Sequence, residues 1–143
     1  MPKTKQNSRM ITIGMIGPET CFKKTEAKEL LFKIKQTYGS TATVFSGGNQ
    51  EGVERDIRKY ALEFGLKYKE FNPSFTGSNG YSFLPESYFK KNYHFSHFGH
   101  RYEEMLRRID RLVVFEQADD KKWKIYESLI KKAEKKGIKT MIL

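Results

Sequence analysis

The sequence predicts an α/β fold: a Rossmann-like three-layer α/β/α sandwich built on a mainly parallel five-stranded sheet in the order 3-2-1-4-5. Short apolar runs rich in β-branched residues alternate with longer segments whose apolar residues recur at helical spacing. The length of 143 residues fits one domain. Because crossover connections are right-handed and short, this alternation leaves few strand orders.

The first part of the chain has the pattern of a strand, a helix and a second strand. Residues 10–17, MITIGMIG, form an apolar run ending in glycine, which indicates a buried parallel strand followed by a turn. Apolar residues then share one helical face from about Lys24 onwards, and Gly39 suits the C-terminal cap of that helix. Residues 41–45, TATVF, predict the second strand, which stops at Ser46.

A second helix and a third strand follow. The helix is expected to begin near Gly52 and to end at Gly65, because apolar residues keep helical spacing between these two glycines. Residues 66–71, LKYKEF, predict a short strand. Its charged side chains favour a position at the edge of the sheet, where one side of the strand faces water.

The last third of the chain continues the alternation. Residues 102–109 predict a helix, and residues 111–115, RLVVF, predict a strand. Either Asp119 or Asp120 is expected to be the N-cap of the next helix. After a glycine stop, residues 138–143 predict the last strand. The inward face of that helix is expected to consist of Trp123, Tyr126, Leu129, Ile130 and Ala133.

We expect one domain at residues 10–143, preceded by a flexible basic tail at residues 1–9. Residues 72–99 interrupt the alternation and exceed the usual length of a connection in an α/β unit. This aromatic-rich insertion is expected to pack over one end of the sheet or across a subunit interface, so we predict a homodimer or a larger homo-oligomer. Its aromatic residues are Phe75, Tyr81, Phe83, Tyr88, Phe89, Tyr93, Phe95 and Phe98.

Composition and charge argue against several classes of protein. No apolar run approaches the roughly 20 residues that span a bilayer, and the polar N-terminus lacks a signal-peptide pattern, so we expect a cytoplasmic protein without a membrane partner. The single cysteine, Cys21, allows neither an intramolecular disulfide nor a cysteine-based zinc site. Of the net charge of +10, residues 1–9 contribute +3 and residues 90–143 contribute +6, and this asymmetry attracts polyanions.

The strongest functional motif is a glycine-rich loop, SGGNQEG, between the second strand and the second helix. Glycines permit positive φ and let a ligand approach the backbone, while the first turn of the helix directs N–H groups and the positive end of its dipole into the same space. Such a loop suits nucleotide phosphates, although its spacing is neither GxGxxG nor that of a P-loop. A tight turn without a ligand is the alternative. The predicted nucleotide-binding residues of the loop are Ser46, Gly47, Gly48, Asn49, Gln50, Glu51 and Gly52.

A second turn, formed by Gly17, Pro18, Glu19 and Thr20, follows the first strand. In the predicted strand order, it lies beside the glycine-rich loop and the topological switch point where open α/β sheets bind ligands. We therefore add Gly17, Pro18 and Glu19 to the predicted nucleotide site. The carboxylate of Glu19 is suited to a ribose hydroxyl or to general base catalysis, and its alternative role is to stabilise the N-terminus of the next helix.

The segment SGGNQEGVERDIRKYALEFG resembles the strand–loop–helix signature of the SLOG superfamily, which are Rossmann-like nucleotide-binding proteins. The superfamily includes the YspA/YpsA-like proteins, the DNA-processing protein A family and the cytokinin-activating phosphoribohydrolases. The residues that match its pattern are Gly47, Gly48, Gly52 and Ala61. The resemblance implies a nucleotide or nucleotide-derived ligand.

Two further segments share this resemblance. The opening IGMIGPETCF is similar to the first strand and turn of the superfamily. The later segment FGHRYEEMLRRIDRLVVF is similar to a YspA-like stretch, which implies that Arg101 lies near the ligand and that Asp110 lies at the start of a strand. The resemblance covers roughly residues 10–71 and 97–143.

The sequence departs from the hydrolases of the superfamily at their second motif, PGGxGTxxE, which contains a catalytic glutamate. Residues 116–123 read EQADDKKW and contain no glycine, and only Lys121 and Lys122 are suited to replace the missing phosphate contacts. Whether the protein is an enzyme is therefore left open. The main interpretation is a nucleotide-binding protein that acts as a sensor, a sequestering protein or a degenerate enzyme.

Two other classes of function stay open. The turn IGPE is also similar to that of nucleoside deoxyribosyltransferases, which use a glutamate nucleophile, so Glu116 or Glu19 is the candidate catalytic residue of an N-glycosidic-bond hydrolase or transferase. A single-stranded nucleic-acid binder is the other alternative, because basic grooves with aromatic side chains suit single strands. It is not favoured, because no aromatic stripe accompanies the lysines of the last helix.

The sequence predicts neither a cofactor nor a bound metal. The histidines are His94, His97 and His100, and zinc would need a further ligand from a distant part of the chain. His100 beside Arg101 is better suited to a phosphate or base contact. Cys21 has no histidine neighbour in sequence and is expected to be a packed apolar group rather than a nucleophile.

Overall fold

A computed structural model describes residues 10–49, 51–71 and 102–143. Four α-helical and five strand segments follow one another in these ranges, with one short 3-10 turn at Gly39–Thr41. They are β1 (Ile11–Ile16), α1 (Lys24–Tyr38), β2 (Ala42–Ser46), α2 (Val53–Glu63), β3 (Lys67–Glu70), α3 (residues 102–106), β4 (Arg111–Val114), α4 (Trp123–Lys135) and β5 (Lys139–Ile142). The predicted tail, Gln50, the aromatic-rich insertion and Arg101 lie outside the described residues.

The strands form one parallel sheet in the order β3-β2-β1-β4-β5. β1 is the central strand, and its Ile13 is paired with Val44 of β2 on one side and with Arg111 of β4 on the other. β3 pairs with β2, and β5 pairs with β4, so each of these two strands forms an edge of the sheet. The predicted fold class, the strand order and the edge position of β3 are confirmed.

The sheet is covered by two groups of helices. α1 and α2 pack on one face and share a core with Ile13 and Met15 of β1. α3 and α4 share the other core with Leu112 and Val114 of β4. Gly14 faces this second core, where a Cβ would lie 2.9 Å from the side chains of both Met105 and Ile109, so glycine permits the close approach. The five residues predicted for the inward face of α4 are all buried.

Contacts between β1 and the residue before β4 hold the amino edge of the sheet, which is the side where the parallel strands begin. The Asp110 carboxylate accepts hydrogen bonds from the backbone N–H of Thr12 at 2.9 Å and from its hydroxyl at 3.2 Å. In return, the N–H of Asp110 donates to the carbonyl oxygen of Thr12 at 2.8 Å. Asp110 lies at the start of the strand, as expected, and therefore at the opposite edge from the strand ends where loops bind ligands.

Glycines end the helices largely where the sequence predicts. Gly39 is the C-cap of α1 with a φ of 59°, Gly52 is the N-cap of α2, and Gly137 follows α4 with a φ of 77°. The predicted N-cap of α4 is wrong: neither Asp119 nor Asp120 has that position.

The N-cap of α4 is Lys122. The Asp120 carboxylate accepts a hydrogen bond from the N–H of Lys122 at 2.8 Å, and the N–H of Asp120 donates to the carbonyl oxygen of Gln117 at 3.0 Å. Aspartate forms such local turns as readily as it caps helices, and here the turn delays the start of the helix. Within the described ranges, no helix is long and apolar enough to cross a membrane.

Candidate functional site

The candidate site lies at the carboxyl edge of the sheet, where the turn after β1 meets the loop after β2. Gly52, at the end of the loop, has a φ of 76°, and a Cβ built on it would lie 2.5 Å from the carbonyl oxygen of Glu19. The two predicted binding segments are therefore in backbone contact. An L side chain at position 52 would be strained and would also separate them.

A buried carboxylate that the sequence analysis missed joins these segments. Glu54 lies in the first turn of α2 and is fully buried. One of its oxygens, Oε2, accepts hydrogen bonds from the N–H of Gly17 at 3.1 Å and from the Tyr102 hydroxyl at 2.7 Å. The other, Oε1, accepts from the N–H of Asn49 at 3.0 Å. One side chain thus connects the turn after β1, the glycine-rich loop and α3.

The helical spacing of the sequence would have been enough to predict that Glu54 is buried. It shares one face of α2 with Ile57 and Ala61, which are both buried. A glutamate on an apolar helical face, just after a glycine N-cap, indicates a carboxylate that bonds to backbone N–H groups.

Gly47 and Gly48 have different roles in the loop. A Cβ on Gly47 would lie 2.4 Å from the Tyr102 hydroxyl and 2.7 Å from Oε1 of Glu54, so this glycine is required for packing. Gly48 has a φ of 78°, and its N–H donates to the Ser46 hydroxyl at 3.0 Å. Positive φ is the conformation that glycine adopts without strain.

These bonds change the expectation that the loop offers its amides to a ligand. The N–H groups of Gly48 and Asn49 already donate within the protein. Gly52, the N-cap of α2, has no side chain to cap the helix, so the N–H groups of the first turn of α2 are the remaining candidates for an anion contact. The loop acts as a scaffold that orients this helix terminus.

The segment after β4 is joined to the same edge. The Thr20 hydroxyl donates to the Asp120 carboxylate at 2.5 Å, which links the turn after β1 to residues 116–122. The N–H of Glu116 donates to the carbonyl oxygen of Leu143 at 2.7 Å, and the Lys23 ammonium donates to that same oxygen at 2.8 Å. The backbone around Glu116 is thereby fixed, while its side chain is exposed.

The predicted site residues differ in their exposure. The two candidate catalytic carboxylates, Glu19 and Glu116, are exposed, as is Glu51. Gln50, Arg101 and the three histidines lie outside the described residues, so their expected roles stay predictions. In the described part of the chain, no group of three His, Cys, Asp or Glu side chains could hold a metal ion. The buried members of the predicted site are Gly17, Pro18, Ser46, Gly47, Gly48 and Gly52.

Charge at this edge is mixed, with acidic groups in excess. Three segments at this edge, residues 17–23, 46–52 and 115–123, contain five carboxylates and three lysines. The carboxylates belong to Glu19, Glu51, Glu116, Asp119 and Asp120, and the lysines are Lys23, Lys121 and Lys122.

Two buried side chains next to the site have raised pKa values. Burial raises the pKa of the Cys21 thiol, which disfavours the thiolate and agrees with a packing role. Burial also raises the pKa of Tyr68 well above its ordinary value, and the neighbouring Glu70 carboxylate raises it further. The Tyr68 hydroxyl donates to Glu70 at 3.0 Å, while the Arg58 guanidinium lies 3.5 Å from the same carboxylate.

Fold and site together define a Rossmann-like protein with a preformed loop cluster at the carboxyl edge of its sheet. No protein-family model matches the chain, and no curated protein sequence matches it. Solved structures do match. The molybdenum cofactor binding protein of the phototrophic bacterium Rippkaea orientalis is 15% identical with a TM-score of 0.67, over 94% of this chain and 76% of that chain.

Two other solved structures are similar. DNA processing protein A from Helicobacter pylori, a single-stranded DNA binder, is 15% identical with a TM-score of 0.66, over 97% of this chain and 67% of its own. The molybdenum cofactor carrier protein of Chlamydomonas reinhardtii is 14% identical with a TM-score of 0.52, over 94% of this chain and 89% of its own. DNA processing protein A belongs to the superfamily that the glycine-rich segment resembles. The chain therefore has the Rossmann-like fold that these solved structures share.

Proposed function

We propose that this protein binds a small molecule that presents a phosphate and a flat heterocycle, namely a nucleotide or a nucleotide-like ligand, at the carboxyl edge of its sheet. The observation that carries this proposal is the hydrogen bonding of Glu54, which joins Gly17, Asn49 and Tyr102 into one prearranged cluster. Open α/β sheets bind ligands at this place, outside the strand ends next to the switch in strand order.

The neighbouring structures support the ligand class. Two of the three are described as molybdenum cofactor binding or carrier proteins. The molybdenum cofactor is a phosphorylated pterin and has the same two recognition elements as a nucleotide. A helix N-terminus for the phosphate and loop backbone for the ring edge suit both. We therefore include the molybdenum cofactor in the ligand class.

The charges at the edge favour ligands with few phosphates. Five carboxylates and three lysines lie in the described segments of the site. Each additional phosphate would meet uncompensated repulsion from carboxylates, since the helix terminus can neutralise only about half an elementary charge. We expect AMP or a dinucleotide to bind more tightly than ATP.

Calorimetry with AMP, NAD, ATP and isolated molybdopterin tests the proposal. Gly48→Val should abolish binding of whichever ligand the wild type binds, because the branched side chain is strained at a φ of 78° and displaces the loop. Gly137→Val is the matched control, since Gly137 has a φ of 77° and no atom within 4 Å of an added Cβ. It should have the same local strain and unchanged affinity. Unchanged affinity in Gly48→Val would contradict the site.

A further inference from the structure

A groove on the opposite part of the molecule has no role in the proposed function. It lies between α1 and the strands β4 and β5, and its volume is about 380 Å³. Leu30, Ile34 and Tyr38 of α1 form one wall over about 12 Å of helix, and Val113 and Met141 form the floor. The groove is therefore elongated and mainly aliphatic.

The groove occupies a gap in one layer of the sandwich. Parallel sheets are usually covered on both faces. On this face, α1 and α2 cover β1, β2 and β3 and bury Val113 of β4, whereas none of the described helices covers the edge strand β5. Met141 of the edge strand β5 is 49% exposed as a result. The gap has the position and direction of one further helix packed beside α1.

Among the residues that the structure describes, three cations line this groove and no acidic residue does. Arg111 and Lys139 are register partners on neighbouring strands, and Lys33 projects from α1. Among the described residues, no carboxylate forms an ion pair with any of the three. Like charges directly opposite each other in a sheet are destabilising, so an occupant with carboxylates would relieve this repulsion.

We propose that the groove docks an amphipathic helix with acidic side chains that belongs to a partner protein. Its apolar stripe would lie on the aliphatic floor, and its carboxylates would meet Lys33, Arg111 and Lys139, which is the helix-in-groove mode of recognition. The charges argue against other occupants. A second copy of this groove and the basic segment 1–9 both have the same sign as the cations, and nucleic acid prefers stacking aromatic side chains to aliphatic ones.

A selection experiment tests this proposal. A displayed library of helical peptides with randomised surface positions is selected against the wild-type protein, and enriched peptides are titrated by fluorescence anisotropy. We expect enriched peptides to combine apolar residues at i, i+3 or i+4, and i+7 with flanking Asp or Glu. The double variant Arg111→Glu/Lys139→Glu should weaken binding by about tenfold or more, because the peptide carboxylates would be repelled. Met141→Glu should weaken it similarly.

The matched control is Lys131→Glu/Lys135→Glu, which makes the same change of net charge on exposed residues of α4. It should leave peptide affinity within about twofold, because surface charges further than a Debye length of about 10 Å are screened. The proposal is wrong if no peptide is enriched, if the enriched peptides are not acidic, or if both double variants bind them equally. It is also wrong if sedimentation shows a wild-type dimer that Met141→Glu dissociates, or if removal of residues 1–9 is needed for a peptide to bind.

Discussion

Glu54 is the residue whose environment explains most about the candidate site. A buried carboxylate is costly unless its lone pairs are bonded, and Glu54 accepts hydrogen bonds from two backbone N–H groups and one hydroxyl. All three donors belong to segments that are distant in sequence from one another. The free-energy cost of burying this carboxylate is therefore offset only when the turn after β1, the glycine-rich loop and α3 are all in place.

The first prediction concerns Glu54→Gln. Glutamine has the shape of glutamate but directs an NH2 group at a backbone N–H, so a buried donor is left without an acceptor. We expect the free energy of unfolding in urea to fall by about 2–3 kcal/mol and the ligand affinity to fall with it. Glu63→Gln, an exposed glutamate at the end of the same helix, is the control and should change both by less than about 0.5 kcal/mol. A neutral result for Glu54→Gln would show that this carboxylate does not support the site.

The second prediction concerns the pH dependence that Tyr68 confers. The folded-state pKa of Tyr68 is raised above the unfolded value of about 10, so its contribution to stability is complete below that pH and is lost as the pH rises through the folded-state pKa. Tyr68→Phe should cost about 1 kcal/mol at neutral pH through the lost hydrogen bond to Glu70. The difference in unfolding free energy between the two proteins should be constant from about pH 6 to 9 and decrease above pH 10. A constant difference up to pH 12 would contradict the raised pKa.

At the scale of elements, the sequence predicts what depends on local pattern. Apolar runs and helical spacing identified the strands and helices, and glycine identified most of the helix ends. The N-cap of α4 could not be predicted because Asp120 has two local ways to bond to backbone, either as a helix N-cap or within the turn that it forms with Gln117 and Lys122. The contact of Thr20 with Asp120 joins positions 100 residues apart and leaves no local pattern.

In the candidate site too, local sequence pattern predicted some features, and contacts between distant residues determine the others. The glycine-rich loop was recognisable because positive φ restricts positions 48 and 52 to glycine. The hydrogen bonds that the Gly48 and Asn49 amides form within the protein could not be recognised in the sequence, because they depend on the side chains of Ser46 and Glu54 pointing inwards. The sequence therefore predicted that the turn after β1 and the glycine-rich loop meet, but not which of their backbone groups are already bonded within the protein.

The third prediction tests the two edges of the sheet separately. Asp110→Ala removes the carboxylate that accepts from the N–H and hydroxyl of Thr12 at the amino edge. We expect a loss of about 1–2 kcal/mol in the free energy of unfolding, because two hydrogen bonds to a charged acceptor are lost at an exposed position. Ligand affinity, measured by calorimetry, should not change, since the candidate site lies at the carboxyl edge. A matching loss of affinity would mean that the two edges are coupled.

The charge of the whole molecule gives the fourth prediction, which separates small-molecule binding from nucleic-acid binding. A net charge of +10 attracts any polyanion, so affinity alone does not discriminate. For a single strand, log affinity should fall with log salt concentration at a slope of about −0.7 for each phosphate contact. We expect a shallow slope with AMP or NAD, and for oligonucleotides only weak binding that is lost at physiological salt. Tight oligonucleotide binding that persists at that salt would favour the nucleic-acid alternative.

The fifth prediction concerns oligomeric state, which we expect to be a dimer or larger because of the aromatic-rich sequence at residues 72–99. Light scattering at micromolar concentration should give a mass of at least twice the 16.8 kDa of the chain. Met141→Glu should leave that mass unchanged, because the groove beside β5 is proposed for a different partner. A monomeric mass for the wild type would contradict the prediction.

The two ends that flank residues 72–101 are both fastened to the same core. Phe71 is buried against Phe45 with ring centroids 5.3 Å apart, its N–H donates to the carbonyl oxygen of Ser46, and Tyr102 is buried in the same cluster. The entropic cost of closing a loop grows only logarithmically, by about 0.6 kcal/mol for each doubling of its length. On the entropy of loop closure alone, a change in the length of the sequence between these two anchors therefore costs the sheet little, and the anchors stay in place because they belong to the core.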